Sequence, residues 1–369
     1  MFVWFGIAAL LIYVLLVFYV GRSGWRWLRP LHSKVFGWLY GIVLAVVALA
    51  FLLAQWTGNI VLGVIGAYWM AVFCLLLMIL PITQLAAWLI RRIRRHAPGR
   101  ELWPGVCALT LLILLMAWGS YMAYSPSVRT YEIDIAKPAP GLERLTIAMA
   151  SDMHFGILSG EGHARRLVRE LNALEPDIVL LPGDIIDDDI QPYLDAGMPE
   201  ILSGIRAPFG VYAVLGNHDR HELRTASVVD VLERSGIQVL DEASATIGGA
   251  FTLIGRRDLS DSERGRLDEA MTGTDPALPL ILLDHQPVEL GEARAAGIDL
   301  MLSGHTHRGQ IFPGNLLTGL LFENHWGHLE QGNFHSVVSA GFGFWGPPIR
   351  LGSRSEIVRI ELTFGAAGA

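Results

Sequence analysis

Cysteine is nearly absent: the 369 residues hold two, Cys74 and Cys107. Both fall in long apolar runs, where a small packing residue is the expected role. Residues 125–369 contain none, which excludes disulfides, a thiolate metal site and a thiol nucleophile from that part of the chain. Charge is also scarce, at 17% of residues. It is missing from the interiors of four apolar stretches, so an ion or proton path through them has no support. No basic stripe with interleaved aromatics occurs, and nucleic-acid binding is not expected. There is no internal repeat and no low-complexity tract.

What the chain has instead is apolar length. Hydrophobic residues make up 52%, and the mean hydropathy of +0.42 is high for a soluble enzyme. The excess lies before about residue 125, in runs at 2–20, 35–54, within 60–90 and at 106–124. A bilayer is crossed by roughly 20 apolar residues, so four membrane helices are predicted, with Pro81 tolerable inside the third. The first run has no basic segment before it and no A-x-A-like site after it, and is expected to stay as an anchor.

Orientation follows from the joints. Arg22, Arg26, Arg29 and Lys34 follow the first run, and Arg91, Arg92, Arg94, Arg95 and Arg100 follow the third. The joint at 55–59 is uncharged. The first and third joints are therefore expected in the cytoplasm, with everything after Tyr124 outside. The net charge of −7 hides a basic membrane half and a more acidic outer half. Residues 1–124 read as the anchor, 125–144 as a linker with a first strand, and 145–369 as a catalytic domain.

In the outer half, Val128 to Ile135 alternates as a half-buried strand does, and Lys137 to Gly141 makes a turn. Apolar runs at 145–150, 178–181, 211–215, 280–283 and 300–302 read as buried strands. Helical periods lie between several of them; Ala164, Leu167, Val168 and Leu171 share one face. This is an α/β pattern. Runs at 336–340 and 355–362 are expected in a second sheet.

A polar block follows each of the five buried runs: Asp152-Met153-His154, Gly183-Asp184, Gly216-Asn217-His218-Asp219, Asp284-His285 and Gly304-His305-Thr306-His307. Taken singly, Asp152 could cap a helix, and Gly183-Asp184 and Gly216-Asn217 are ordinary turn pairs. Taken together, the blocks put carboxylate, amide and imidazole ligands at the carboxyl ends of neighbouring strands, where open α/β sheets place their sites. Hard ligands without thiolate suit a pair of divalent metals doing hydrolysis.

These blocks match, in order, the motif set of the calcineurin-like metallophosphoesterases, and residues 128–362 resemble that superfamily. Ser-Asp-Met-His-Phe-Gly, Leu-Gly-Asn-His-Asp and Leu-Ser-Gly-His-Thr-His with Gly309-Gln310-Ile311 are similar to one branch of it. That branch holds bacterial membrane-associated or exported phosphoesterases, including UDP-diacylglucosamine pyrophosphatase-like members. The resemblance implies a four-layer sandwich of two mixed β-sheets flanked by helices, here preceded by the membrane helices. Together with the orientation read from the joints, an inner-membrane protein whose catalytic domain faces the periplasm or cell exterior is expected.

Carried over by motif position, Asp152, His154, Asp184 and His307 would hold one metal, and Asp184, Asn217, His285 and His305 the second. Mn, Fe, Zn, Co and Ni all suit such ligands. A cation pair lowers the pKa of a bridging water, which attacks phosphorus in line with the leaving oxygen. His218 would stabilise phosphoryl oxygens or protonate the departing one, with Asp187 and Asp219 orienting ligands or His218. The substrate class is a phosphomonoester, phosphodiester or pyrophosphate. A domain fixed to the bilayer meets lipid-borne phosphates at high effective concentration, which favours a lipid-linked ester. A tethered phosphodiesterase for a soluble substrate and a non-catalytic scaffold are the alternatives.

Arg308 departs from the branch, which usually has glycine there; it reads either as a surface salt bridge or loop adaptation or as a phosphate-binding guanidinium beside the metals, with Asn217 as a further substrate contact. Asp188 and Asp189 are expected as a solvated acidic edge, and His163 and His221 as surface residues. His32 and His96 flank membrane helices. His325, His328 and His335 are expected in a polar loop with Trp326. The stretch Phe342 to Gly346 is read either as a lipid-touching segment or as a cover for the core.

Overall fold

The computed structural model describes residues 2–28, 33–93, 103–219 and 225–365. The chain divides into two units, residues 1–120 with 346–349, and residues 121–345 with 350–369.

The first unit takes its form from the apolar runs. They become α1 (Phe2–Trp27), α2 (Lys34–Thr57), α3 (Ile60–Ile93) and α4 (Trp103–Tyr124), all four long and apolar enough to cross a membrane. α1 continues past its apolar run, so Arg22 and Arg26 sit on its last turns and not in a joint. Cations at a helix C-terminus complement the macrodipole, and Arg91 and Arg92 close α3 in the same way. Arg29, Arg94, Arg95, Arg100, His32 and His96 lie outside the described residues. α2 stops at Gly58, whose left-handed φ of 65° lets its N–H reach the Ala54 carbonyl. With charge excluded, neutral hydrogen bonds join the helices: Tyr13 to the Ala48 carbonyl (2.7 Å), Trp69 to Tyr13 (2.9 Å) and Gln84 to Ser23 (2.9 Å). Cys74 is half-buried, but Cys107 is exposed, so the packing role expected of it is not observed.

The second unit is built from strands in chain order. The first six are β1 (Ser127–Ile135), β2 (Arg144–Met149), β3 (Ile178–Pro182), β4 (Val211–Val214), β5 (Ile237–Val239) and β6 (Ala243–Ile247). They are followed by β7 (Phe251–Gly255), β8 (Leu280–Leu283), β9 (Leu300–Ser303), β10 (Gly327–Gln331), β11 (Phe334–Val338) and β12 (Glu356–Phe364). Between them lie α5 (Glu161–Ala173), α6 (Ile190–Asp195), α7 (Met198–Leu202), α8 (Thr225–Arg234), α9 (Leu267–Ala270), α10 (Leu290–Ala295) and α11 (Gly314–Leu321).

One sheet runs β1-β12-β2-β3-β4-β5 and the other β10-β11-β9-β8-β7-β6. Both are mixed: β12 lies antiparallel to β2, and β6–β7 and β10–β11 are antiparallel hairpins. The five expected buried strands are β2, β3, β4, β8 and β9. Their continuous apolar runs follow from burial on both faces. In β3, Ile178 and Leu180 enter the core between the sheets, where they join Phe251, Leu283 and Leu302 together with Val358 and Ile360 of β12. Val179 and Leu181 face the layer of α5, α6, α7 and α8. α9 and α10 cover the outer face of the second sheet through Leu267, Ala270, Leu290 and Ala293. The result is the expected four-layer sandwich.

One expectation is corrected. The run at 355–362 joins the first sheet, not the second: β12 lies between β1 and β2 and is parallel to β1 along nine paired residues. Inner faces of both sheets are equally apolar, so alternation along β12 could not distinguish them; its pairing partners do.

Candidate metal centre

The five polar blocks leave the carboxyl ends of β2, β3, β4, β8 and β9, three strands of one sheet and two of the other. Short backbone bonds bind the loops together. Asp152 and His154 donate their N–H groups to the carbonyls of Gly183 and Asp184 (both 3.0 Å), and Gly304 N–H to that of His285 (2.9 Å). Such tight turns hold Asp152, His154, Asp184, His305 and His307 at φ between 44° and 69°. This left-handed region is costly for non-glycine residues and persists where surroundings over-determine it. Glycine is required at the approaches: a Cβ on Gly216 would fall on the Asp184 carboxylate, and one on Gly304 on that of Asp152.

The side chains converge in groups. Asp152, His154 and His307 bring one ligand atom each within 4.8 Å of one another, as do Asp184, His285 and His305. Asp184 also links the two, with Oδ2 3.6 Å from His154 Nε2 and 3.1 Å from His285 Nε2. Asn217 Oδ1 lies 3.0 Å from His305 Nδ1. All seven residues expected as ligands are therefore brought together. A third group, His154, Asp187 and His218, sets Asp187 beside a candidate ligand and beside His218, as expected of it.

The donor set fits divalent cations on geometry. His154 Nε2 and His307 Nε2 face each other at 3.1 Å, about the edge that two ligands at roughly 2.1 Å make around one ion. His285 Nε2 is buried and makes no well-formed hydrogen bond although Asp184 Oδ2 lies 3.1 Å away, a costly state for a polar atom that a cation between the two would relieve. His285 Nδ1 donates to the Pro182 carbonyl at 2.9 Å; burial opposes charge on the ring, but Asp184 raises its pKa well above the usual imidazole value, so a cation would take Nε2 by displacing its proton.

Electrostatics sort the charges. Burial disfavours ionised Asp184, but His285, then His154 and His218, hold it well below the carboxylate range. Burial, then His154 and Arg350, keep His307 well below the usual imidazole value, and burial with His285 lowers His305. Both rings are thus neutral, as ligands must be. His218 is opposed by burial but raised to about 9 by Asp188, Asp184 and Asp187.

The roles expected of the surrounding acids are redistributed. Asp188, read as a solvated edge, places Oδ1 2.7 Å from His218 Nδ1 and is its partner. Asp189 caps α6 through Gln191 N–H. Asp219 accepts from the backbone N–H groups of Gly216, Ile185 and Ile186 and ties two ligand loops together. Asp187 lies 3.4 Å from His154 Nδ1. Adjacent acids look alike in sequence, and only loop curvature selects which one meets His218.

Several histidines fall elsewhere. His163 is buried, not superficial; it meets Ser159 at 2.9 Å and stacks on Phe342. His328 and His335 pair across the β10–β11 hairpin at 3.0 Å, so the expected polar loop is a hairpin there. His325 meets Thr318 Oγ1 at 2.9 Å. None of the three belongs to a ligand group among the described residues, and His221 lies outside them. The Phe342–Gly346 stretch is divided: Phe342 and Phe344 are core, whereas Trp345 is exposed, its ring 5.7 Å from that of His218.

Two arginines were not legible. Arg350 is fully buried, donates to the carbonyls of Gly343, Gly341 and His307, and lies 3.2 Å from His307 Nδ1. Arg264 makes a two-pronged bond to Asp284, the residue before His285, at 3.0 and 2.6 Å. Neither has a sequence signature: Arg264 lies two residues from Arg266 and Arg350 four from Arg354, and nothing in the local sequence singles out the buried one.

A two-sheet sandwich with Asp, Asn and His side chains gathered at strand ends in two linked groups defines a class: a phosphoesterase fold with a candidate dinuclear metal site. The comparisons agree. The model of the calcineurin-like phosphoesterases matches residues 145–309. A Bos taurus transmembrane protein with metallophosphoesterase domain is 31% identical over 277 residues, covering 70% of this chain and 62% of that protein. An uncharacterized metallophosphoesterase of Helicobacter pylori is 33% identical over 226 residues, 60% of each chain. One of Aquifex aeolicus is 32% identical over 263 residues, 68% of this chain and 97% of its own length. The chain belongs to the calcineurin-like phosphoesterase family. It spans 62% of the bovine relative and 60% of the Helicobacter one.

Proposed function

We propose that the chain is a membrane-anchored phosphoesterase working with two divalent cations, residues 1–124 serving as anchor, 125–144 as connection and 145–369 as catalytic domain. The observation that carries this reading is the Asp184 carboxylate, set between two histidine groups and within 3.6 Å of each. Asp152, His154, Asp184 and His307 would hold one cation, and Asp184, Asn217, His285 and His305 the other; Mn, Fe and Zn suit these donors, as do Co and Ni. Bound there, the pair supplies Lewis acidity towards a phosphoryl oxygen and acidifies a water.

The remaining roles belong to the chain's own side chains. His218, held by Asp188, donates a proton to the departing ester oxygen. Asp187 fixes the ring of His154, and Asp219 fixes the two loops that carry Asp184 and Asn217. Arg308 stacks on Trp326 with its guanidinium carbon 3.6 Å from the ring centroid and makes no ion pair with a described residue. Its donors are left for a substrate phosphate. Hydrogen bonds to charged groups contribute about 1.5–3 kcal/mol, so Arg308→Met should raise KM for phosphate esters at least tenfold with little change in kcat. An unchanged KM removes Arg308 from the site.

The bond cleaved is a phosphomonoester, phosphodiester or pyrophosphate, with a lipid-linked ester favoured by the anchor. The decisive test strips the purified full chain of metal and restores Mn or Zn. Hydrolysis of p-nitrophenyl phosphate, its bis ester and a lipid-linked pyrophosphate should return with two metal equivalents. Intact cells should cleave the impermeant bis ester if this domain faces outward, as the arginine-rich joints favour. Absence of turnover on all three esters, with two metals bound, overturns the enzyme reading.

A further inference from the structure

α11 is amphipathic in the wrong direction for a helix in water. Leu316, Leu317, Leu320 and Leu321 are 56, 59, 83 and 77% exposed, and no residue of the helix is buried. Its polar and small residues face the protein: Thr318 Oγ1 meets His325 Nδ1 at 2.9 Å, and a Cβ on Gly319 would lie 3.6 Å from the same imidazole. A surface helix ordinarily turns its apolar stripe inward. Four leucines turned outward on eight residues, with exposed Phe312 just before them, mark an interaction surface.

This helix is fixed to the metal centre. The His307–Gly309 turn leads into it, and Gly309 meets the backbone of Gly314 and Asn315 so closely that a Cβ has no room. At its other end the Phe322 ring lies 6.1 Å from that of His305. Gln310, just before the helix, exchanges hydrogen bonds of 2.9 Å with both the N–H and the carbonyl of exposed Trp345. Tryptophan beside an apolar face is the composition of a membrane–water interface.

We propose that α11 is a lipid-contacting element, and that Phe312, Leu316, Leu317, Leu320, Leu321 and Trp345 enter the interfacial layer of a bilayer beside the metal centre. The occupant is argued from charge and continuity. Residues 312–322 carry no charge, while the cations beside them are Arg308 and Arg129, stacked on Trp326 at 3.6 and 4.4 Å. Glu356 is occupied by Arg129, Trp326 and the Ala340 N–H. An apolar face next to an Arg308 guanidinium that pairs with no described carboxylate complements a phospholipid, with acyl chains at one end and phosphate at the other. The unit also begins on the last turn of apolar α4, where Ser355, Arg354 and Arg166 bond the carbonyls of Ala123, Ser125 and Tyr124. A second copy of the chain would satisfy the leucines but leave Arg308 without an anion.

This inference deepens the proposed function and rests on it, because a lipid-held centre would take its phosphoester from the membrane. The test uses the full chain with Cys74→Ala and Cys107→Ala, carrying Leu320→Cys labelled with an environment-sensitive nitrobenzoxadiazole. The protein is reconstituted in phosphatidylglycerol–phosphatidylcholine vesicles with spin-labelled lipid as quencher. The label should emit to the blue of one at exposed Asp275 (as Asp275→Cys) and be quenched by the lipid. Identical emission and no lipid quenching overturn the proposal, as does ready disulfide formation between two copies through position 320. In parallel, Leu316→Ser with Leu320→Ser should raise the apparent KM for phosphatidic acid at least tenfold and leave bis-p-nitrophenyl phosphate turnover unchanged. Quenching without any hydrolysis refutes the enzyme reading alone; hydrolysis without quenching refutes the lipid contact alone.

Discussion

Asp184→Asn should abolish hydrolysis and lower bound metal from two equivalents to one or none while leaving the fold intact. The amide has the same shape, and its oxygen still accepts the 2.9 Å bond that Asp184 Oδ1 takes from His218 N–H. What disappears is the negative charge between the two histidine groups. Partners that merely orient a metal ligand cost about 10–100-fold when removed, so a shared carboxylate should cost more than about a hundredfold in kcat. Metal analysis, bis-p-nitrophenyl phosphate turnover and a circular-dichroism melt check the three parts. Two retained metals with near-normal turnover would mean that Asp184 is a loop-organising residue and not a bridge.

Arg264→Met should be the most destabilising single change near the site. Asp284 is 1% exposed and takes two bonds from Arg264, itself 7% exposed, which also reaches Glu289 at 2.9 Å. Although burial acts against the guanidinium, Asp284 and Glu289 hold its pKa above the ordinary value. Methionine fills similar length but strands a buried carboxylate, a loss of about 3–5 kcal/mol. For a unit of this size that is a fall in Tm of roughly 6–20 °C. Replacing both partners, Arg264→Met with Asp284→Leu, removes the unpaired charge and should recover most of the loss. Differential scanning fluorimetry of the three variants decides it. A single variant melting within a degree or two of the parent shows that water reaches Asp284.

Strands β2, β3, β4, β8 and β9 were legible because a strand buried on both faces is a continuous apolar run, and because each ends in a ligand-type block. The four long apolar helices were legible for a related reason: a helix able to cross a bilayer needs uninterrupted apolar length, which sequence shows directly. β12 was misplaced because an apolar alternation says that a strand has a core face without saying which sheet supplies its neighbours. Among four acids in close succession, Asp184, Asp187, Asp188 and Asp189, only the path of the loop separates a candidate ligand from a partner of His218 and from a helix cap. α11 has no signature in the sequence, since Gly314–Leu321 has the composition of any short core helix; its exposure follows only from its polar face lying against the protein.

Sequence by itself thus determined the α/β class, the four apolar helices and the identities of the candidate ligands, all of which are properties of local pattern and chemical type. Tertiary structure alone decided that Asp188 holds His218, that Arg350 and Arg264 are buried behind the ligand loops, and that the leucines of α11 point outward. Those are relations between segments up to about two hundred residues apart, such as Asp152 and Arg350. Chain-distant contacts of this kind are fixed by which strands pair and how loops curve, and no local run of residues carries that information.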